Sequence, residues 1–371
     1  MSRHAWIVIS VVAGLLGACS TAEKPKPTAL EAFAPKLAAR VAWSAKLDAV
    51  NFPLAPAISG GLVTVAGSDG TVLALQAESG REVWRAHVGA RIDGGVGSDG
   101  RFAAVVTRNN ELVVLDAGTV RWRKRLSTQV TTAPLVAGER VFVLGVDRVV
   151  QAFDVLDGKA LWRMQRPGEP LTLAHGGVVA AFKDTLLVGQ GARLAGVDGL
   201  RGALRWDVPM ATPRGTNELE RLADLVGPPA RAGDVVCARA FQAAVACANA
   251  ERGALLWSKV VSGASAVGIV GDLVAGADSN DRVSAWRLGS GDSVWTVEHL
   301  MHRGLTGVAG FGGAVVVGDA QGQLHFLAAD SGATVQRLAL DGSPVIGQPV
   351  VVGSTLIVVT RRGGVFGVRA E

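Results

Sequence analysis

Six tryptophans stand four residues after a glycine: Trp84 after Gly80, Trp122 after Gly118, Trp162 after Gly158, Trp206 after Gly202, Trp257 after Gly253 and Trp295 after Gly291. They recur at intervals of 38, 40, 44, 51 and 38 residues. Trp43, 41 residues before Trp84, extends the series at one end, and Gln336 of the degenerate unit Ser331-Gly332-Ala333-Thr334-Val335-Gln336, 41 residues after Trp295, extends it at the other. A period of about 40 to 50 residues built from short strands marks a β-propeller, whereas helical repeats of that length need apolar faces of 3.6-residue period that are absent here. The count implies an all-β chain forming an eight-bladed β-propeller of four-stranded antiparallel blades.

One copy shows the grammar. Leu62-Val63-Thr64-Val65-Ala66 reads as a strand, Gly67 to Gly70 as a turn, Thr71 to Leu75 as a second strand, and Ser79-Gly80 as a turn before Glu82-Val83-Trp84-Arg85-Ala86. A short strand near Pro56 to Ser59 completes the meander. Each final-strand Trp can bury about 150–250 Å², roughly 4–6 kcal/mol before entropy is counted, which suits a seal between blades better than a cofactor cage. The C-terminal copy has three strands, near 350–352, 356–360 and 365–368, and then the chain stops. Arg40 to Leu47, with Trp43 at its centre, matches the missing final strand. N- and C-terminal strands are therefore expected to share the eighth blade and leave no gap in the ring.

The N-terminus reads as an export segment. Arg3 and His4 precede an apolar run from Ala5 to Leu16, short for a membrane span and of the size of a signal-peptide core. The run ends in Leu16-Gly17-Ala18-Cys19, which resembles a bacterial lipobox whose cysteine carries lipid; the plainer alternative is an ordinary secretory signal with a chance cysteine. Ser20, rather than Asp, follows, which by resemblance to lipoprotein sorting implies the outer membrane and a periplasm-facing domain. Residues 20–40, with Pro25, Pro27 and Pro35 among Lys24, Lys26 and Lys36, read as a tether. The expected organisation is a signal peptide over 1–18, a lipidated flexible tether over 19–39 and a propeller over 40–371.

Enzyme signatures are missing. No GxSxG elbow, HExxH, P-loop or clustered Cys/His spacing occurs, and the histidines, His302 and His325 among them, are scattered. Asp278-Ser279-Asn280-Asp281 carries oxygen ligands but falls where a strand-to-strand turn recurs, and a turn explains it more simply than calcium. The net charge of +5 is spread along the chain without a Lys/Arg stripe, and Tyr is absent, so nucleic acid is not an expected partner. No catalytic residue, cofactor or metal is assigned. Cys237 and Cys247 flank Ala240 to Ala243 symmetrically, so a hairpin near Gln242 sets them opposite one another. They suit either a disulfide in an oxidising compartment or a reduced pair of small core residues.

Function is expected where the repeat is interrupted. The longest interval, Trp206 to Trp257, carries an insertion over 209–229 in which residues 216–225 are expected to form a short helix. The preceding interval is enlarged over Arg166 to Leu173. Both join the last strand of one blade to the first strand of the next, so they emerge on one face of the ring from neighbouring positions. Leu171 and Leu173 are the candidate apolar anchors of a docking patch, beside Arg221 and Asp224.

The lipobox, the Pro-rich tether, the Trp-sealed repeats and the insertion Thr216-Asn217-Glu218-Leu219-Glu220-Arg221-Leu222-Ala223-Asp224 together resemble the BamB family, propeller lipoproteins of the bacterial β-barrel assembly machinery. The resemblance covers essentially the mature chain. It implies a non-enzymatic accessory scaffold on the periplasmic face of the outer membrane, docking on a POTRA domain of the central BamA-type subunit and handling unfolded outer-membrane clients. Leu171, Leu173 and Asp224 match partner-binding positions of that family; Ala174 stands where the pattern often has Arg, and Val226 where a second acidic residue occurs. Rival readings are a lipid-anchored scaffold of another envelope complex and a quinone-dependent dehydrogenase, a class that also has eight Trp-sealed blades.

Overall fold

The computed structural model describes residues 25–166, 171–173 and 176–370. The export segment, Cys19 and Ala174 lie outside them. The described residues form eight four-stranded antiparallel sheets. In chain order, blade one spans residues 57–87, two 92–125, three 135–164, four 179–209, five 225–260, six 268–297 and seven 309–339; blade eight spans 345–370 and is completed by the strand Ala39–Lys46. The closing strand pairs antiparallel with Gly364–Ala370, Ala39 opposite Ala370 and Lys46 opposite Gly364. Blade one has the expected meander, Ala57–Ser59, Leu62–Ala66, Thr71–Gln76 and Glu82–His87.

The Gly–Trp spacing encodes a contact between blades. Gly80, at φ +70°, lies under the Trp43 ring, and a Cβ there would meet it at 2.4 Å. The relation repeats around the ring, Trp84 on Gly118, Trp122 on Gly158, Trp162 on Gly202, Trp206 on Gly253, Trp257 on Gly291 and Trp295 on Gly332. Each glycine serves the turn before its own blade's last strand and receives the ring from the blade before. The indole N–H groups of Trp43, Trp122 and Trp257 donate to carbonyls beside those turns, Ala77, Val155 and Leu288, at 3.0, 2.8 and 2.7 Å. A bulge stands next to every one of these tryptophans: Trp84 faces Ala74, but the next pair is Glu82 with Leu75, leaving Val83 as the extra residue. Trp43 in the closing strand has the same irregularity at Ala42.

Gln336 has no such glycine to cover. Blade eight has no hairpin between its third and last strands, because the two chain ends meet there. The blade-seven edge is instead packed by Leu37, Ala39 and Val41.

Middle strands supply the core, as Val63, Val65, Leu73 and Leu75 in blade one illustrate with exposures of 1% or less. First strands and their connectors surround an axial cavity of about 630 Å³, into which the connector of residues 50–55 runs, with Phe52 buried.

Candidate docking surface

The two interrupted connectors, between blades three and four and between blades four and five, meet on one face. Asp224 Oδ2 accepts the Leu173 amide at 2.7 Å, joining residues 51 apart in sequence. Gly227 N–H donates to Gly176 O at 3.1 Å, and Gly177 bridges Val226 antiparallel, which extends the stitch inward.

The hub is Arg148, in the turn between the second and third strands of blade three. Its Nη2 donates to Leu171 O at 3.2 Å and stands 3.7 Å from Asp224 Oδ1, while Gln190 Nε2 holds its carbonyl at 2.8 Å. Thr172 Oγ1 donates to Val146 O at 2.8 Å in the same turn. Arg148 has φ 63°. The matching turn position is Gly70, Gly322 or Gly363 in three blades and Asn110 or Asp281 in two others, types that tolerate the left-handed region, so a long side chain there was the available signal for Arg148, which the sequence did not single out.

The expected helix over 216–225 is replaced by a single turn. Asn217 Oδ1 accepts the Glu220 amide at 2.9 Å and Glu220 Oε2 accepts the Thr216 amide at 2.7 Å, a reciprocal cap around one i to i+4 bond, Arg221 N to Asn217 O at 3.2 Å. Ala223 is already buried and Leu225 opens the next strand, so tertiary pairing ends the helical turn where it starts.

Leu171, Arg221 and Asp224 border one cavity of about 560 Å³, together with Arg166, Arg193 and Leu222. Leu173 sits just behind it, with Asp224. All four expected residues are thus brought together, in different roles. Leu171 is 39% exposed and Leu219, at the tip of the second connector, 71%. Asp224 is largely covered and both of its oxygens face inward partners. On the cavity's far wall Arg166 Nη1 and Arg193 Nε hold Asp207 at 2.9 and 2.8 Å. Burial pushes the Asp207 carboxyl up, but these bonds outweigh it and keep it below its ordinary range.

The other candidates lie elsewhere. Cys237 and Cys247 are register partners in blade five, Cα atoms 4.0 Å apart, fully buried with their sulfurs joined. Asp278 Oδ1 accepts the Asn280 and Arg282 amides at 2.8 and 3.0 Å, and Asp281 accepts those of Gly304 and Leu305, so both carboxylates are spent on turns. Among the described residues no group of three or more His, Cys, Asp or Glu is placed to hold a metal ion. Among the described residues, those lining the axial cavity include Asn51, Thr132, Thr306 and Arg361 but no carboxylate, a donor set that does not fit a quinone with its divalent cation.

Comparison with known proteins agrees with this architecture. The family model described as outer membrane protein assembly factor BamB matches residues 68–297 and 289–371. The chain is 34% identical to the outer membrane protein assembly factor BamB of Bordetella pertussis, over 99% of this chain and 98% of that one, and 34% identical to that of Burkholderia pseudomallei, over 100% and 99%. The crystal structure of BamB from Moraxella catarrhalis matches with a TM-score of 0.80 at 24% identity, over 90% of this chain and 100% of that one. The quinohemoprotein alcohol dehydrogenase from Comamonas testosteroni matches with a TM-score of 0.67 at 16% identity, over 89% and 76%, a likeness of fold alone. The chain belongs to the BamB family of outer membrane protein assembly factors.

Proposed function

We propose that the protein is a non-enzymatic scaffold of outer-membrane protein assembly, anchored by lipid at Cys19 on the periplasmic face of the outer membrane. Its connectors between blades three, four and five dock on a POTRA domain of the BamA-type subunit. The observation that carries this reading is Leu171, an exposed apolar side chain on a connector whose backbone is fixed by Arg148 and Asp224. An anchor already ordered before binding loses little entropy on contact, and a lipid-held scaffold needs only modest affinity because its partner is concentrated at the same surface. Leu219 and Arg221 supply the second apolar and the cationic contact.

Unfolded clients are proposed to engage the outer edge of blade five. The strand Ala254–Val260 is the last of its sheet and shows Leu255 and Leu256 at 42% and Val260 at 81% exposure, an edge suited to an added strand.

The deciding experiment places a photo-crosslinking residue at Leu171 in the native host and identifies what it captures. Capture of the central assembly subunit is expected. Capture of a different envelope protein, with that subunit absent, would transfer the role to another envelope complex.

A further inference from the structure

The segment that leads into the ring is bound to it. Composition reads residues 19–39 as a flexible tether, but from Thr28 onward the chain lies across blade seven. Thr28 N–H donates to Met301 O at 3.0 Å, and Thr28 O accepts Arg303 Nη1 at 2.9 Å. Glu31 Oε1 accepts Thr334 Oγ1 at 3.1 Å, and the Arg337 guanidinium covers the Phe33 ring at 5.0 Å. Lys36 N–H donates to Val335 O at 2.9 Å, and Leu37 packs at the blade's first turn.

Arg303 makes this docking hard to undo. Its side chain is 3% exposed and sits in a buried group, Nε 2.9 Å from Asp319 Oδ2, the same oxygen that His325 Nε2 approaches at 3.0 Å. The Thr28 carbonyl satisfies one of its N–H groups. Lifting the segment away would leave a charged donor of a buried guanidinium without that acceptor.

We infer that residues 28–37 are a docked strap belonging to the propeller, and that the lipid anchor therefore holds the blade-seven rim against the phospholipid surface of the outer membrane. The orientation rests on the lipidation of Cys19 proposed above. Only about nine residues separate Cys19 from Thr28, which even fully extended reach no more than about 30 Å; a wholly free tether would reach about twice as far and leave orientation open. The docking connectors flank blade four, on the far side of the eight-bladed ring from blade seven. Thr28 lies at the connector between blades six and seven, on the face that also carries the docking connectors, so the anchored end and the partner share a face but stand apart across the ring, which becomes a lateral spacer between lipid and partner.

The test uses the full lipoprotein in phospholipid nanodiscs. Amide exchange at Thr28 and Lys36 is expected to be at least about 100-fold slower than in an unstructured chain. Rapid exchange at both would overturn the strap, whatever the state of Cys19. Spin labels at S331C in blade seven and L200C in blade four, both exposed and both in the turn before the last strand, then report distance from nickel-chelating lipid headgroups. At least about threefold greater broadening at 331 is expected from the shorter distance. Equal broadening, or more at 200, overturns the orientation. Mass spectrometry showing Cys19 unmodified would instead remove the anchor, and the orientation with it, while the exchange data still decide the strap.

Discussion

The carboxylate of Asp224 holds the backbone of Leu173, 2.7 Å from its amide, while Arg148 grips the carbonyl of Leu171, two residues earlier. In the proposed docking, Asp224 thereby acts on the partner through another residue. Asp224→Ala is expected to weaken binding to an isolated partner POTRA domain by about tenfold or more, through loss of a charge-assisted bond of about 1.5–3 kcal/mol. Asp224→Asn keeps an acceptor and should lose less. Leu171→Ala should weaken binding by about 1–2 kcal/mol with an unchanged melting temperature. Titration calorimetry reads both, and equal losses for Asn and Ala would move Asp224 from a positioning role to direct contact.

The glycine under each tryptophan gives a matched pair of tests. At Gly253 (φ +61°) an added Cβ meets Trp206 at 2.4 Å, whereas at Gly233 (φ +57°) nothing lies within 4 Å. Both alanine variants carry the left-handed backbone cost of about 1 kcal/mol, and only Gly253→Ala adds a clash of about 1–3 kcal/mol. Urea midpoints should separate accordingly; coincident midpoints would show that the ring shifts freely.

The seals were legible because one contact repeats: a ring in one blade demands a glycine in the next, and both leave a mark at fixed spacing. The docking hub was not, because Arg148 acts 23 residues from Leu171 and across a blade boundary, with no periodicity to carry the signal. The expected helix failed because pairing of Leu225 with Ala240 competes with continuation of the turn. The strap was hidden by its own composition, since prolines and lysines describe a chain without a core and do not say that a buried arginine waits for its carbonyl.

Stability should fall below neutral pH because of one buried histidine. Burial holds the His325 imidazole below its ordinary 6.5, against the pull of Asp319. The folded ring stays neutral while the unfolded one takes a proton below about 6.5, so stability present above that pH is lost as pH falls, at up to about 1.4 kcal/mol per unit. Asp319 is pushed up by burial but held low overall by bonds from His325, the Gln323 amide and Arg303, and its contribution is lost only further down, as pH drops below the carboxylate range. His325→Asn should be less stable at pH 7.5 yet flatter between pH 7 and 5.5. Parallel curves for the two proteins in urea would assign the slope elsewhere.

The cross-strand pair in blade five should be oxidised in protein taken from the periplasm. Cys237 and Cys247 close a loop of sequence separation 10, for which loop entropy gives about 2–3 kcal/mol. Denatured protein should show no free thiol from either residue, and reduction should lower the urea midpoint. Full labelling without reductant would establish the reduced core pair.

Trp43 and Gln336 occupy the same place in neighbouring blades and should respond in opposite ways to exchange. Trp43 lies on Gly80 and donates to Ala77 O, sealing blade eight to blade one at the point where the chain ends meet. Trp43→Gln removes the ring and leaves a void, and is expected to cost about 2–4 kcal/mol. Gln336→Trp restores the repeat yet finds no hairpin glycine in blade eight, where Leu37, Ala39 and Val41 already fill the edge. It should therefore add no stability and, by crowding the strap, speed amide exchange at Lys36. A stabilising Gln336→Trp would mean that the residue at this position is chosen by the repeat itself rather than by what the next blade offers.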